Sequence, residues 1–230
     1  MSSAAELTDI EFRDLVRAVD LAVLSSFEHR IWGGDDAVSV NMLVATISEG
    51  GMAIGAFDGD RIVGAVYGFA TRDPQVLHSH YMAVDPSYRR HGLGAELKQR
   101  QRAWCLAKGM THIRWTYDPL LLGNAHLNIR TLGAVGVAYH VDHYGNLGGI
   151  NGALPSDRIT VSWELVPTLR PVATLTVEVP ALGADDIGAS SDAAMRARMA
   201  LREALATRMA AGWLVVDVDR DAREYRLAAP

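Results

Sequence analysis

The sequence predicts an α/β protein: a mixed central sheet flanked by helices, followed by a short β-α-β extension. Three observations carry that expectation. Of the 230 residues, 49% are hydrophobic and 21% charged, a composition able to bury a sizeable core. Apolar runs of strand length alternate along the chain with segments of helical period. Asp58-Gly59-Asp60 separates two such runs, and Asp-Gly is a favoured hairpin turn.

Helical spacing of Ile10, Leu15, Val16, Val19 and Val23 predicts a first helix over 8–24, with Thr8 as its N-cap. Residues 25–36 read as a loop holding an isolated Trp32, and a second helix is expected over 39–48. Strands follow at 52–57 and 62–70, joined by the hairpin turn, and a third at 77–84. A long amphipathic helix is expected over 92–108, closed by Gly109. A strand at 112–117, a helix at 123–132 and strands at 135–141 and 159–165 complete a first domain of residues 1–166. Prolines at 167 and 171 mark the only boundary. Beyond it, 167–230 reads as an extension with a strand at 172–179, a helix at 193–211 and short strands at 213–218 and 225–227. The arginines over 196–208 of that helix read as a solvated face.

Acids outnumber bases 27 to 22, so the net charge of −5 gives no general attraction to nucleic acid or a membrane surface. Any anion site must be local. Cys105 is the single cysteine, which excludes an internal disulfide and a cysteine-built zinc site and suits a reducing cytoplasm. No apolar run approaches the ~20 residues of a membrane span. The start, MSSAAELTDIEF, lacks the pattern of a signal peptide.

The most informative stretch is VDPSYRRHGLGA, residues 84–95. A strand ends at Asp85-Pro86, and Arg89-Arg90-His91-Gly92-Leu93-Gly94-Ala95 leads into the long helix. Glycines there let successive N–H groups point at one spot, and the helix N-terminus adds partial positive charge. Together they make a pyrophosphate cradle with arginines beside it. A tight turn without a ligand is the plainer alternative. The pattern is neither a Rossmann fingerprint nor a P-loop.

On these residues the chain resembles the GNAT superfamily of acyl-CoA-dependent N-acyltransferases, whose R/Q-x-x-G-x-G/A signature is matched by Arg89, Gly92 and Gly94. FDGDRIVGAVYGF upstream and the helix ending Leu132-Gly133 are similar too. HSHYMAVDPSYRRHGLG, WTYDPLLLGNAHLN and NGALPSDR look like a narrower subgroup whose genes often neighbour N-succinylamino acid racemases. The resemblance implies acetyl-CoA or succinyl-CoA as co-substrate, no metal, and a small-molecule amine, such as an amino acid, as acceptor. It leaves room for a homodimer. Backbone N–H groups of Met82, Ala83 and Val84 are then expected to polarise the thioester carbonyl, a contribution of ~3 kcal/mol. Asn124 and Asn128, one helical turn apart, are expected near the CoA groove; Asn124 could instead act as a cap.

A base is needed to take the ammonium proton. Strand alternation puts His78, His80, Met82 and Val84 on one face, and His80 is the first choice, with a structural core histidine as the alternative. The family's usual tyrosine acid falls at Ile129 here, so Tyr144 in the next strand, or Tyr117, would have to substitute, unless the thiolate leaves unprotonated. Trp32, Asp118 and Arg158 are candidate substrate contacts. Asp118 could equally be a turn residue, and Arg158, oriented by Asp157, could grip a succinyl carboxylate or merely cap its loop. A metal site at His78, His80, His140 and His143 is permitted but unsupported by other ligands. A non-catalytic acyl-CoA-binding or sensing module is the alternative to an enzyme.

Overall fold

The computed structural model describes residues 10–33, 37–145, 154–166, 168–182 and 191–230, and Thr8 lies outside them. The chain divides into two compact units, Met1–Ile113 and Arg114–Pro230.

The first unit is an antiparallel meander with helices on both faces. Its elements are β1 (Ile10–Asp14), α1 (Ala18–Trp32), α2 (Val40–Ser48), β2 (Met52–Asp58), β3 (Arg61–Ala70), β4 (Val76–Val84) and α3 (Leu93–Ala107), and its strands lie in the order β1-β2-β3-β4. The expected helix over 8–24 is replaced by β1, paired with β2 from Ile10↔Asp58 to Asp14↔Ile54, and by a later helix. Ile10 and Leu15 are buried while Val16, Val19 and Val23 are exposed, so the helical spacing read across them was coincidental. The real apolar stripe is Leu21, Leu24 and Phe27, and it carries α1 through the segment expected to be a loop. Ser26 does not interrupt it, because its hydroxyl donates back to the Ala22 carbonyl at 2.9 Å. Asp20 closes the helix start by accepting from the Arg17 side chain at 2.9 Å.

Leu21, Leu24, Phe27 and Leu43 of α1 and α2 form one core with Ala65, Tyr67, Tyr81 and Ala83 of the sheet. Helix α3 covers the alternate residues. A Cβ on Gly64 would lie 3.1 Å from Leu97 and 3.2 Å from Leu93, so a side chain there would press on the leucines of α3. Beneath α3, Lys98 is fully buried, donating to the Ser79 hydroxyl at 2.7 Å and the Gln101 side-chain oxygen at 3.1 Å. Burial pushes its pKa down to about 7. The expected stop at Gly109 is a Schellman turn: Gly109 has φ +75°, and Met110 N–H reaches the Cys105 carbonyl at 3.0 Å.

The second unit is a sheet in the order β5-β7-β6-β9-β10-β8. Its members are β5 (His112–Tyr117, which begins in the first unit), β6 (Val135–His140), β7 (Arg158–Glu164), β8 (Leu175–Glu178), β9 (Leu214–Asp219) and β10 (Glu224–Ala228). The short helix α4 (Leu122–Ala125) widens into a π-helical turn over His126–Thr131, and α5 spans Asp192–Ala210. β6 pairs with β7, and the extension's β9 joins β6 at Gly136↔Val215. The arginines of α5 are not all a solvated face, although Arg196 is exposed. Arg198 is buried and grips Asp118 through Nη1 and Nη2 at 2.7 and 2.5 Å, and Arg202 donates to Asp157 at 2.7 and 2.9 Å. Asp157 is fully buried and Asp118 largely so, and without these partners both charges would be costly to desolvate.

Two outcomes follow for stability. Burial raises Glu28 to about 7, so between pH 4.5 and 7 the folded state holds a proton that the unfolded chain has lost. Stability contributed at this site therefore falls as pH rises through that window. Glu28→Gln keeps an acceptor for the Val38 N–H and removes the slope; urea midpoints at pH 5 and 8 measure it. Arg198→Met strands the Asp118 carboxylate and lowers the unfolding free energy of the full chain by about 3–5 kcal/mol. Adding Asp118→Asn recovers part of that loss in the same urea experiment.

Candidate active site

In the first unit the site is built where β4 hands over to α3. Asp85 accepts from Ser87 N–H at 3.1 Å, Ser87 Oγ at 2.6 Å and Arg61 Nη2 at 2.7 Å, fixing a 3₁₀ turn over Pro86–Tyr88. Burial alone would raise the Asp85 carboxyl, but these donors outweigh it and hold its pKa below the ordinary range. The chain then turns through two left-handed residues, Arg90 at φ +66° and Gly92 at φ +86°.

Gly92 is the N-cap of α3, and no side chain caps it, whereas Ser39 caps α2 and Ser191 caps α5. The first intrahelical bond runs from Glu96 N–H to the Gly92 carbonyl at 3.0 Å. The N–H groups of Leu93, Gly94 and Ala95 therefore precede the hydrogen-bond ladder. Arg89, Arg90 and His91 are exposed beside them. Arg89 Nε donates to the Val84 carbonyl at 3.0 Å, which ties the turn to the end of β4. Donors left outside the ladder at a helix N-terminus, with two adjacent guanidinium groups, can receive a pyrophosphate.

Upstream on β4 the strict alternation read from sequence fails. Tyr67 pairs with Tyr81 but Gly68 with Ser79, so one step on β3 opposes two on β4, and His80 is the extra residue of a β-bulge. Ser79 faces Lys98, whereas the His80 ring joins those of Tyr67, Phe69, His78 and Tyr81 at centroid distances of 5.8, 5.7, 6.1 and 6.4 Å. The residue keeps solvent access, and desolvation by its neighbours lowers its pKa from the ordinary value. Trp32 meets this cluster edge-on, 5.3 Å from Tyr81. Met82, Ala83 and Val84 continue β4, opposite Val66, Ala65 and Gly64.

Sequence reasoning missed two residues beside the cluster. Glu28 sits one turn after Leu24 on the buried stripe of α1, and the Tyr81 hydroxyl is buried with no hydrogen-bond partner among the described residues. The spacing Leu21-Leu24-Glu28 is the signal that could have found Glu28, once the helix was placed correctly.

In the second unit the structure brings Asp118, Arg158 and Tyr144 together. Arg158 Nη1 lies 3.7 Å from Asp118 Oδ2, and its guanidinium stands 5.4 Å from the Tyr144 ring centroid. Tyr144 is exposed, in a turn after β6 rather than in a strand, and its hydroxyl shares a 3.0 Å bond with Thr116. Tyr117, the other candidate acid, is buried against Tyr225, and burial raises its pKa far above the ordinary value. Ile129 is a fully buried core residue. Asp157 does not orient Arg158 through its carboxylate, which is held by Arg202, Tyr139 and the Asp142 N–H; Arg158 donates only to its backbone carbonyl, at 2.9 Å. Asn124 is exposed and Asn128 buried. Among the described residues no group of three His, Cys, Asp or Glu side chains is placed to hold a metal ion, and no helix is long and apolar enough to cross a membrane.

Residues 21–126 match the model of the acetyltransferase (GNAT) family. No curated protein matches the chain. Among solved structures, the ribosomal-protein-S18-alanine N-acetyltransferase of Escherichia coli is similar, with 14% identity, a TM-score of 0.57, and coverage of 72% of this chain and 99% of its own. A GNAT-family acetyltransferase from Streptococcus pneumoniae shares 18% identity at a TM-score of 0.54, covering 66% of this chain and 98% of its own. One from Elizabethkingia anophelis, solved with acetyl-CoA bound, shares 16% at a TM-score of 0.50, covering 68% and 99%. At such identities the likeness is one of fold. The family match spans β4, the uncapped turn and all of α3, the elements from which this site is built.

Proposed function

We propose that the chain is an acyl-CoA-dependent N-acyltransferase of the cytoplasm, moving an acetyl or succinyl group to the amine of a small molecule such as an amino acid. The observation that carries this reading is the uncapped N-terminus of α3, entered through left-handed Arg90 and Gly92, within the stretch that matches the family. Residues 1–166 are proposed as the acyltransferase domain and 167–230 as its extension.

Acyl-CoA supplies an activated thioester carbonyl. Arg89, Arg90 and His91 and the N–H groups of Gly92 through Ala95 are proposed to hold its pyrophosphate, with Asn124 and Asn128 as further contacts. The backbone of Met82, Ala83 and Val84 is proposed to donate to the carbonyl oxygen as charge develops there. His80 takes the proton of the acceptor ammonium. A bulge residue is aimed by the local twist rather than by pleat alternation, and its lowered pKa keeps the imidazole neutral at pH 7. Trp32 lines the acceptor side of the aromatic cluster. Tyr144 is proposed to protonate the leaving thiolate. Asp118 is assigned a positioning role, because Arg198 already occupies both of its oxygens.

Release of free thiol from acetyl-CoA or succinyl-CoA on adding amines is the direct test; no release across a panel of amines and amino acids would remove the reading. Gly94 lies in the first turn of α3 and is not among the left-handed glycines, so Gly94→Glu adds bulk and like charge without left-handed backbone strain. It should weaken CoA binding about 100-fold, ~2.7 kcal/mol by calorimetry; a folded variant with unchanged affinity would refute the cradle. His80→Gln should lower kcat roughly 100-fold at unchanged CoA affinity. In the wild type, kcat/KM should rise with pH through a pKa below 6.5, as His80 loses its proton, and that limb should vanish in the variant.

A further inference from the structure

The aromatic cluster of the first unit encloses polar groups that acyl transfer at His80 does not use. Its rings grade from exposed His80, through half-buried Trp32, Phe69 and His78, to buried Tyr81 and Tyr67. Between centroids, Trp32 stands 5.3 Å from Tyr81, Tyr81 5.8 Å from Tyr67, and Phe69 4.7 Å from His78. One phenol is satisfied: the Tyr67 hydroxyl shares a 2.6 Å bond with Thr46 Oγ1 of α2. The other is open. Tyr81 is only 9% exposed, and among the described residues its hydroxyl has no hydrogen-bond partner. Phenylalanine would fill the same ring volume without the cost of a stranded hydroxyl.

Glu28 lies within electrostatic reach of both phenols, and its charge opposes the ionisation of each. Its carboxyl is buried and accepts a bond from Val38 N–H, at 3.0 Å to Oε2. Asp85 in the same unit has Arg61 at 2.7 Å, whereas among the described residues no arginine, lysine or histidine pairs with Glu28. The titratable groups that face it are the two phenols. A carboxylate, a phenol oxygen and the faces of aromatic rings share one preference, which is for positive charge. The described residues supply none to meet them.

We propose that this cluster binds a cationic group of the acceptor, the ammonium at the far end from the amine that reacts, so that the acceptor is a dibasic amine. The inference rests on the acyltransferase reading and narrows its acceptor class. Exposed His80 at the rim meets the reacting amine, while Trp32, Tyr81 and Glu28, farther in, meet the second charge. An ammonium carries three N–H donors for the Glu28 carboxylate and the Tyr81 oxygen, and its charge is attracted to the ring faces. A buried water joining Tyr81 to Glu28 is the competing occupant, and it would leave the choice of acceptor untouched.

The test compares kcat/KM for 1,4-diaminobutane and 1-aminopentane, which differ in carrying an ammonium or a methyl at the far end, in wild type, Glu28→Gln and Tyr81→Phe. Once the statistical advantage of two equal amines is removed, wild type should prefer the diamine by about 10-fold. That preference should fall close to unity in Glu28→Gln and by roughly threefold in Tyr81→Phe. A wild-type ratio near unity, or a preference unaltered in a folded variant, overturns the proposal. Calorimetric titration of 1,4-diaminobutane into the full chain without thioester separates the cluster from the reaction. If neither amine is acylated, the acyltransferase reading fails, while diamine binding weakened in the variants upholds the site and its absence in wild type overturns it. Removing an unpaired hydroxyl strands nothing, so Tyr81→Phe should melt no lower than wild type and keeps the test decisive if Glu28→Gln does not fold.

Discussion

The N-terminus of a helix presents N–H groups that its own carbonyls cannot reach, and the protein must satisfy them from elsewhere. Two helices here solve the problem with serine, Ser39 and Ser191. Helix α3 does not, because the residue at its cap is a glycine whose left-handed backbone brings the chain in from β4 without offering an acceptor. Everything around that junction serves to hold it in place. Asp85 locks the preceding turn, Arg89 ties it to the end of β4, and Gly64 lets α3 lie directly against the sheet. The open donors are thereby fixed at the end of the strand that carries the aromatic cluster.

That strand shows how a local irregularity can aim a side chain. Had β4 kept strict alternation, His80 would have lain opposite in sense to Tyr81. The bulge instead leaves His80 beside Tyr67, Phe69 and Tyr81, on the face covered by α1 and α2. A β-bulge costs a ladder hydrogen bond and is seldom kept without a purpose in positioning. Glu28 and the Tyr81 hydroxyl, unpartnered among the described residues, lie near the same rings and add polarity to a region that is otherwise apolar.

What could be read from the sequence was whatever is encoded locally. The hairpin at Asp58-Gly59, the long helix with its glycine-rich entry and the stop at Gly109 are each specified within a few residues, and each stands where expected. β1 was hidden because Ile10 and Phe12 are its only alternating apolar positions, whereas Leu15, Val19 and Val23 fall at helical spacing, and only burial shows which pattern packs. The bulge at His80 depends on register against β3, which no window along β4 contains. The roles of Arg198 and Arg202 were invisible for a similar reason. On a helix rich in arginine nothing local distinguishes the two that meet aspartates from those that face water. Asp118 and Arg158 were singled out one at a time, but the network that gives them meaning is a property of the folded unit.

The sequence separation within that network bears on how the chain is made. Arg198 follows Asp118 by 80 residues and Arg202 follows Asp157 by 45. At synthesis rates of about 5–20 residues per second, the Asp118 carboxylate waits roughly 4–16 s for its guanidinium to be translated. Over that wait, and the roughly 2–9 s that Asp157 waits for Arg202, each aspartate must stay hydrated, since desolvating it alone is unfavourable. The second unit therefore closes late, when the helix bearing both cations emerges, and a ribosome that stalls before residue 198 leaves a nascent chain whose two acids have nothing to fold against.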